Sequence, residues 1–488
     1  MKKISIIIPA KDEEQRLPKF LNTVIEYCKQ SSNQYEIIVV DDGSQDKTAQ
    51  EAILFQKQFS ALKVISLERN HGKGYAVKRG FFEARGDIVL FLDADGSTGP
   101  QEIERYLPLF DQGYDVVIGS RVVTDESSKV KTLFYRRWIG KIFNFLVHSL
   151  LIKNVKDTQC GFKMFRAIHI PTLFGRLYLE GFAFDLELLH LAQKMNLRIQ
   201  EVAVNWKHVE GSKVNLIMDS WSMFCNIFQI KNWHYTLMNT SDQHMSVREL
   251  KNMYDQEKDH WWFRAKGEFF RNILSNYEFE GKFILDAGCG TGHNMEFLRS
   301  KGYYVGCDVM FEALEFCKQN GVKDLFQGNL RNVPLRSECF DVVVALDVIE
   351  HVPDPRIVLE EIKRVLKNDG ILVLAVPSFR FLWSQHDEAL SHFRRYNRQD
   401  LINELRDSGF QVDRVGYMYV LIFIPVVIFR FFCKFFMRIE DAQSDTSTKA
   451  SPLINQWLIK FLKWEAQYTF KGCWPFGTSL YAIASKRT

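Results

Sequence analysis

Residues 88–96 read IVLFLDADG, five apolar residues that run straight into an acidic turn. An unbroken apolar run of this length suits a strand buried on both faces. Comparable runs lie at Ile4–Ile8, Tyr35–Val40, Leu62–Leu67 and Asp115–Ile118. Between them Leu17, Phe20, Leu21, Val24 and Ile25 recur at helical spacing, and residues 76–82 do the same. Strand and helix in alternation predict a parallel sheet with right-handed crossovers. Ligands of such sheets bind at the carboxyl ends of the strands, and that is where the acidic turn stands.

The alternation fades after about residue 125. It resumes at Phe283 and runs through Tyr303–Cys307, Val342–Leu346 and Ile371–Val376, with Ser479–Ser485 closing the sheet. The expected fold is α/β with two doubly wound domains: residues 1–235, a polar linker at 236–250, and residues 251–488. A chain of 488 residues is too long for one ordinary core. Its 46% hydrophobic and 25% charged residues are those of a soluble globular protein. A net charge of +4 is too small to argue for a nucleic-acid partner. The nine cysteines are odd in number and never spaced C-x-x-C. That argues against a disulfide framework or a zinc site and for a reducing compartment. The N-terminal apolar run meets Lys11-Asp12-Glu13-Glu14 at once, so a buried strand is a better reading than a signal peptide. Val415–Phe429 spans 15 residues, contains Pro425 and ends at Arg430, which is short for a bilayer crossing.

The strand ends carry acid. Tyr35–Val40 leads into Asp41-Asp42, and Ile88–Leu92 into Asp93-Ala94-Asp95. Alternate residues of an extended segment face the same way, so Asp93 and Asp95 can converge. Two carboxylates would repel a bare phosphate. With a divalent cation, Mg2+ or Mn2+, between them they hold a diphosphate, and the cation neutralises the leaving group. Sugar transfer from a nucleoside diphosphate has this requirement. The plain alternative is a polar loop; the position at the end of an apolar strand favours the chemical reading.

The segments IIIPAKDEEQRLP, EIIVVDDGSQDKT, NHGKGYAVKRG, FLDADGSTGP and VVIGSR resemble the family 2 glycosyltransferases. KDTQCGFKMF, GFAFDLELL and VNWKHVEGSKV are similar to the dolichyl-phosphate glucosyltransferase branch, in the same order and at compatible spacing. The resemblance covers residues 1 to about 235. It implies a GT-A-like fold and an inverting transfer of a sugar to a polyprenyl phosphate, with UDP-glucose the favoured nucleotide sugar. It places nucleotide-sugar binding on Pro9, Asp12, Asp42 and Lys73, and metal and diphosphate on Asp93, Ala94 and Asp95. Gly181-Phe182 stands where the branch usually has Arg-Trp. Asp157 resembles a catalytic or phosphate-site acid of the family. Asp185 is the other candidate, with a helix cap as its alternative. A phosphate acceptor is already ionised and needs no strong base. Cations that position it matter more, and Arg121, Arg136, Arg137, Lys163 and Lys213 are candidates, with surface solvation the alternative for each. A soluble transferase acting on a glycan hydroxyl is the competing function.

Residues 283–292, FILDAGCGTG, are a strand running into a glycine turn. Dinucleotide sites also use such glycines, but Asp286 just before them would oppose a pyrophosphate. It suits a ligand with an ammonium group and a sulfonium. Asp308 ends the next strand, where a carboxylate can accept from ribose hydroxyls. These residues resemble the class I methyltransferases, most closely over 280–380, which implies a Rossmann-like fold and S-adenosylmethionine. The resemblance places the cofactor on Asp286, Gly288, Gly290, Gly292, Asp308, Asn329, Leu330 and Asp347. LKNDG at 366–370 looks like the turn before a further strand, while HWWFRAKGEFF and SHFRRYNRQDL resemble membrane-associated or lipid-pathway members. A hydroxyl acceptor wants a base, and His351, His386 and His392 are available, His351 with cofactor packing as its alternative.

Two aromatic stretches bear on the membrane. Leu133–Ile152 reads as an interfacial helix or a core helix. Val415–Arg438, with Trp457, Phe461, Trp464 and Phe470, reads as a membrane-facing or lipid-acceptor surface or as a buried C-terminal cap. The expectation is a bifunctional enzyme, peripheral at the cytoplasmic face of a membrane. Its second half methylates a lipid-linked glycan, its sugar or a related lipid, or else serves as an acceptor-binding module without turnover.

Overall fold

The computed structural model describes residues 2–123, 147–207, 218–232, 245, 247–275, 277–293, 296–299, 301–436, 451–469 and 474–486. The chain divides into two compact units, Met1–Leu237 and Met238–Thr488. Residues 247–250, within the stretch read as linker, open the helix Val247–Gln256. Arg136, Arg137, Lys213, Phe470, most of 133–152 and nearly all of the low-complexity stretch 440–451 lie outside the described residues.

The first unit is built on β1 (Lys3–Ala10), β2 (Gln34–Asp41), β3 (Leu62–Ser66), β4 (Ile88–Leu92), β5 (Val116–Ser120), β6 (Phe162–Arg166) and β7 (Ile199–Ala203). They form one sheet in the order β3-β2-β1-β4-β6-β5-β7. Ile4, Ile6 and Ile8 of β1 share a core with Leu17, Phe20, Leu21, Val24 and Ile25 of the helix Leu17–Gln30. Ile7, on the opposite face, packs with Val77 and Phe81 of the helix Lys73–Glu83. Alternate residues of one strand thus feed two cores, which is why the run reads as continuously apolar. Each fully buried side chain of this size stabilises by about 1.5–3 kcal/mol.

The second unit uses β8 (Phe283–Ala287), β9 (Tyr303–Asp308), β10 (Asp324–Gln327), β11 (Phe340–Leu346), β12 (Leu366–Pro377), β13 (Phe410–Met418) and β14 (Ser479–Lys486). The order is β10-β9-β8-β11-β12-β14-β13.

The structure departs from the sequence expectations in four places. Neither sheet is purely parallel: β6 runs antiparallel to β4 and β5, and β14 to β12 and β13. The last strand, β14, is inserted beside β12 rather than closing the edge. Asp42, read from the sequence as the end of a strand neighbouring that of Asp93, does not follow a direct neighbour of β4, because β1 stands between β2 and β4. The LKNDG turn belongs to β12 as an irregularity, with Asp369 at φ 62° and the register shifting between Phe340 and Val342. β6, β7 and β10 are short and carry charged or amide side chains, so no apolar run announces them. Among the described residues, no helix is long and apolar enough to cross a membrane.

Candidate active sites

In the first unit the antiparallel β6 decides the site. Phe91 pairs with Lys163 and Leu92 with Phe162, so the DTQCG segment before β6 arrives at the carboxyl end of β4. The Asp93 amide donates to Gly161 O at 3.3 Å. A Cβ built on Gly161 would lie 2.0 Å from Asp93 Oδ2, so only glycine lets the two loops meet this closely. Lys73, first residue of the helix Lys73–Glu83, places Nζ 2.6 Å from Asp93 Oδ1. Burial alone would raise the Asp93 carboxyl, yet Lys73, with Lys163 and Arg121 nearby, holds it below the ordinary carboxylate value. Asp95 Oδ1 accepts from Ser97 N at 2.9 Å. Ala94 is buried between the two acids, and Pro9 lies in β1. Two carboxylates at this spacing are hard oxygen donors and fit Mg2+ or Mn2+.

Around them stand two ion pairs, Lys163–Asp185 buried on both sides and Arg121–Asp157 with its arginine half-buried. Arg121 clamps Asp157 through Nε at 2.7 Å and Nη2 at 2.8 Å, while its own amide donates to Asp157 Oδ2 at 2.9 Å. Burial opposes the Asp157 carboxylate, but Arg121 holds its pKa low. Lys163 is fully buried, with Nζ 2.7 Å from Asp185 Oδ1 and 2.6 Å from Cys160 O. Asp185 sits in the first turn of the helix Phe184–Lys194, one residue beyond its start, and Ala183 is the cap residue. Burial pushes its carboxyl up, offset in part by Lys163 and Lys73. Asp42 accepts from the amides of His71 and Gly72, both at 2.8 Å. Asp12, at φ 49°, accepts from Gln45 N at 2.8 Å. Both acids therefore hold the loops that edge the site.

In the second unit Gly288, Gly290 and Gly292 have φ of 75°, 53° and 73°. A Cβ on Gly288 would meet Val348 at 2.7 Å and one on Gly292 would meet Cys317 at 2.4 Å. This turn presents its backbone at the end of β8. Beneath it Asp286 accepts from the Tyr304 hydroxyl. Burial pushes the Asp286 carboxyl up to about 6, although Tyr304 and Lys266 favour its charge. A buried carboxylate held this way costs about 3 kcal/mol in its charged form and fits a cationic ligand, as a sulfonium and an amine provide. Asp308 accepts from the amides of Gly290 and Met310, both at 2.9 Å. Asn329 is exposed, its Oδ1 accepting from Arg331 N at 3.0 Å, and Leu330 is half-buried beside it. Asp347, at φ 55°, pairs with Lys266.

Sequence reading missed Gly161, Lys266 and Glu257. Gly161 and Lys266 lie inside segments already singled out, DTQCGFK and HWWFRAKGEFF, and only their partners give them a role. Glu257 accepts from the Thr291 hydroxyl and from Asn320 Nδ2, the latter at 3.0 Å, tying a preceding helix to the glycine turn. Burial pushes its carboxyl up to about 7. The three histidine candidates come together: His351 and His392 have ring centroids 4.6 Å apart, and His386 lies 6.3 Å from His392. Burial, with His392 beside it, pushes His351 down to about 3.

Residues 5–174 match the glycosyl transferase family 2 model, and residues 285–374 match a methyltransferase domain model. A dolichyl-phosphate beta-glucosyltransferase of Mus musculus is 37% identical over 226 residues, 44% of this chain and 70% of that protein. One of Dictyostelium discoideum is 38% identical over 240 residues, 47% of this chain and 73% of that protein. A solved glucosyl-3-phosphoglycerate synthase of Mycobacterium tuberculosis is 19% identical with a TM-score of 0.38, covering 50% of this chain and 83% of that one. The chain belongs to the family 2 glycosyltransferases. Within that family its first half groups with the dolichyl-phosphate beta-glucosyltransferases, and a methyltransferase domain is fused behind it.

Proposed function

We propose that the first unit transfers glucose from UDP-glucose, with inversion, to a polyprenyl phosphate, and that the second transfers a methyl group from S-adenosylmethionine to a lipid-linked glycan or a related lipid. The observation that carries the first part is the meeting of Asp93 with Lys73 and the DTQCG segment at one strand end. Asp93 and Asp95 would hold a divalent cation, whose charge neutralises the departing diphosphate. Lys73 adds a second positive charge there. Pro9, Asp12 and Asp42 shape the nucleoside side, the two acids by fixing the loops around Gln45 and Gly72. Arg121 is oriented by Asp157 toward an anionic acceptor, which needs positioning rather than deprotonation. Lys163 acts through Asp185 as a positioning residue, since its ammonium is sealed between that carboxylate and a carbonyl. Arg136, Arg137 and Lys213 are further candidates for the acceptor phosphate.

Gly161→Ala is expected to push Asp93 aside and lower kcat/KM for sugar transfer about 100-fold, the scale of a misplaced catalytic group. Steady-state kinetics checks this; a loss under threefold would show that the contact is not needed.

For the second unit, S-adenosylmethionine supplies the methyl group when bound. The glycine turn, Asp286 and Asp308 hold the cofactor, Asn329 and Leu330 flank its adenine, and Lys266 fixes Asp347 at its edge. The deprotonated Asp286 attracts the ligand's positive charge. Cofactor affinity should therefore fall as pH drops through about 6, roughly tenfold per unit below it. Calorimetric titration across pH 5–8 checks this, and a flat profile would remove Asp286 from the site. The same group has the opposite effect on the empty unit. Its folded pKa is raised, so stability declines as pH rises from about 4 to about 6.

The helix Pro452–Thr469 docks through buried Leu462 and Ala466, yet exposes Leu453, Trp457 and Trp464. The helix Phe423–Phe436 exposes Ile428, Phe429 and Phe431. Apolar side chains on the outer face of docked helices support peripheral contact with a membrane, at its cytoplasmic face in this proposal. Cosedimentation with anionic phospholipid vesicles tests it; protein left in the supernatant ends the idea. The decisive assay for the whole reading combines labelled nucleotide sugars, labelled S-adenosylmethionine and membrane lipid extract, with mass analysis of products. A sugar product that stays water-soluble would favour a glycan-hydroxyl acceptor. Cofactor binding without methylation of any lipid would favour a binding module.

A further inference from the structure

The second unit holds a side-chain cluster outside the residues assigned above to the cofactor. Glu350 and His351 close the turn Ile349–His351 that follows β11, and His392 lies just beyond the short helix Gln385–Ala389. One ligand atom from each lies within 4.8 Å of the others, and among the described residues no other His, Cys, Asp and Glu group does this. Both Glu350 carboxylate oxygens are buried without a hydrogen-bond partner, and so is His392 Nε2. Buried polar atoms are ordinarily paired, and a carboxyl group with neither oxygen bonded to protein calls for a partner, an ordered water or an ion. The other nitrogen of His392, Nδ1, is 2.9 Å from Asp387 Oδ1, and Arg395 Nε holds that same oxygen at 2.7 Å. An Asp387 carboxylate can only accept, so Nδ1 carries the proton and Nε2 offers its lone pair to the cluster. Proteins orient metal-binding imidazoles with a carboxylate in this way.

We propose that Glu350, His351 and His392 bind one divalent transition-metal cation. Two imidazoles and one carboxylate suit Zn2+, Mn2+ or Fe2+ better than Mg2+ or Ca2+. Three protein ligands leave coordination positions open, which an oxygen of the methyl acceptor can fill. The location fits, since Asp347, which directly follows β11 and stands three residues before Glu350, pairs with Lys266 beside the cofactor turn. The cation holds a hydroxyl or carboxylate oxygen of the acceptor at the edge of the methyl-donor site. That role rests on the methyltransferase reading; the cation site itself does not.

The test uses the full chain carrying Asp95→Asn, which weakens the first unit's hold on an ion, at metal concentrations too low to refill that site. The protein is stripped with chelator and titrated with Zn2+ and, separately, with Mn2+, which thiols bind poorly. Bound metal per chain is counted by mass spectrometry after gel filtration. One ion per chain is expected. Glu350→Gln and His392→Ala should each weaken it at least tenfold, while S-adenosylmethionine binding, measured on the same samples, persists and shows that the unit is folded. No bound ion, or an ion held equally well by both variants, overturns the proposal. If the chain without Asp95→Asn also fails to bind S-adenosylmethionine, the methyltransferase reading falls instead, and the ion count, with circular dichroism as the fold check, still decides the cation site.

Discussion

Asp95→Asn is expected to cut sugar transfer at least 100-fold while the second unit binds S-adenosylmethionine unchanged. The substitution keeps the shape of the side chain and its carbonyl oxygen, so the bond from Ser97 N at 2.9 Å survives. It removes one of the two charges that hold a cation against the diphosphate. A bound cation contributes several kcal/mol of charge stabilisation to such a transfer, and each ~1.4 kcal/mol is a factor of ten in rate. Raising the Mn2+ concentration should recover part of the loss, because affinity for the ion is weakened rather than the fold. Radiolabel transfer to a lipid extract and calorimetric titration of the methyl donor measure the two halves separately. Residual transfer above a tenth of the parent rate would remove Asp95 from the site. Loss of both properties in a folded variant would show that the units do not work independently.

Lys163→Met is expected to lower the stability of the first unit by about 3–5 kcal/mol, the scale on which breaking a buried ion pair acts. Lys163 has no exposed surface, and its ammonium bridges Asp185 and the Cys160 carbonyl. Methionine fills similar space but leaves a carboxylate and a carbonyl sealed without their donor. In a unit of this size such a loss moves the melting transition by roughly 6–20 °C. Calorimetry on the whole chain reads it, and added S-adenosylmethionine marks the second unit's transition by shifting it. The double variant Lys163→Met with Asp185→Leu should regain most of the stability, because neither charge is then buried alone, yet sugar transfer should stay low. A shift below 2 °C for the single variant would mean that Lys73, which also acts on Asp185, carries the pair instead.

Legibility in the sequence followed locality. Asp93 and Asp95 are separated by one residue, and Asp286 precedes its glycines by two, so the strand that presents each pair also places it. The helix Leu17–Gln30 is legible because its apolar spacing is its packing face. The role of Lys163 is not legible in this way. Its alternative as a surface cation and its candidacy for the acceptor phosphate rest on residue type alone, whereas its burial rests on β6 running antiparallel beside β4. The same holds for Lys266, which meets Asp347 from 81 residues away, and for His392, which meets Glu350 and His351 across a loop and a short helix.

The order of apolar runs and turns in the sequence by itself determined two α/β units, their acidic strand ends, the glycine turn and the families they resemble. Those features depend on contacts within a few residues, and local spacing encodes them. Only the tertiary structure decided which charges face each other: Lys73 on Asp93, Arg121 on Asp157, Lys163 on Asp185 and three ligand atoms at Glu350, His351 and His392. Sheet order and strand direction bring those groups together, and both are set by burial summed over the whole unit, which no single segment records.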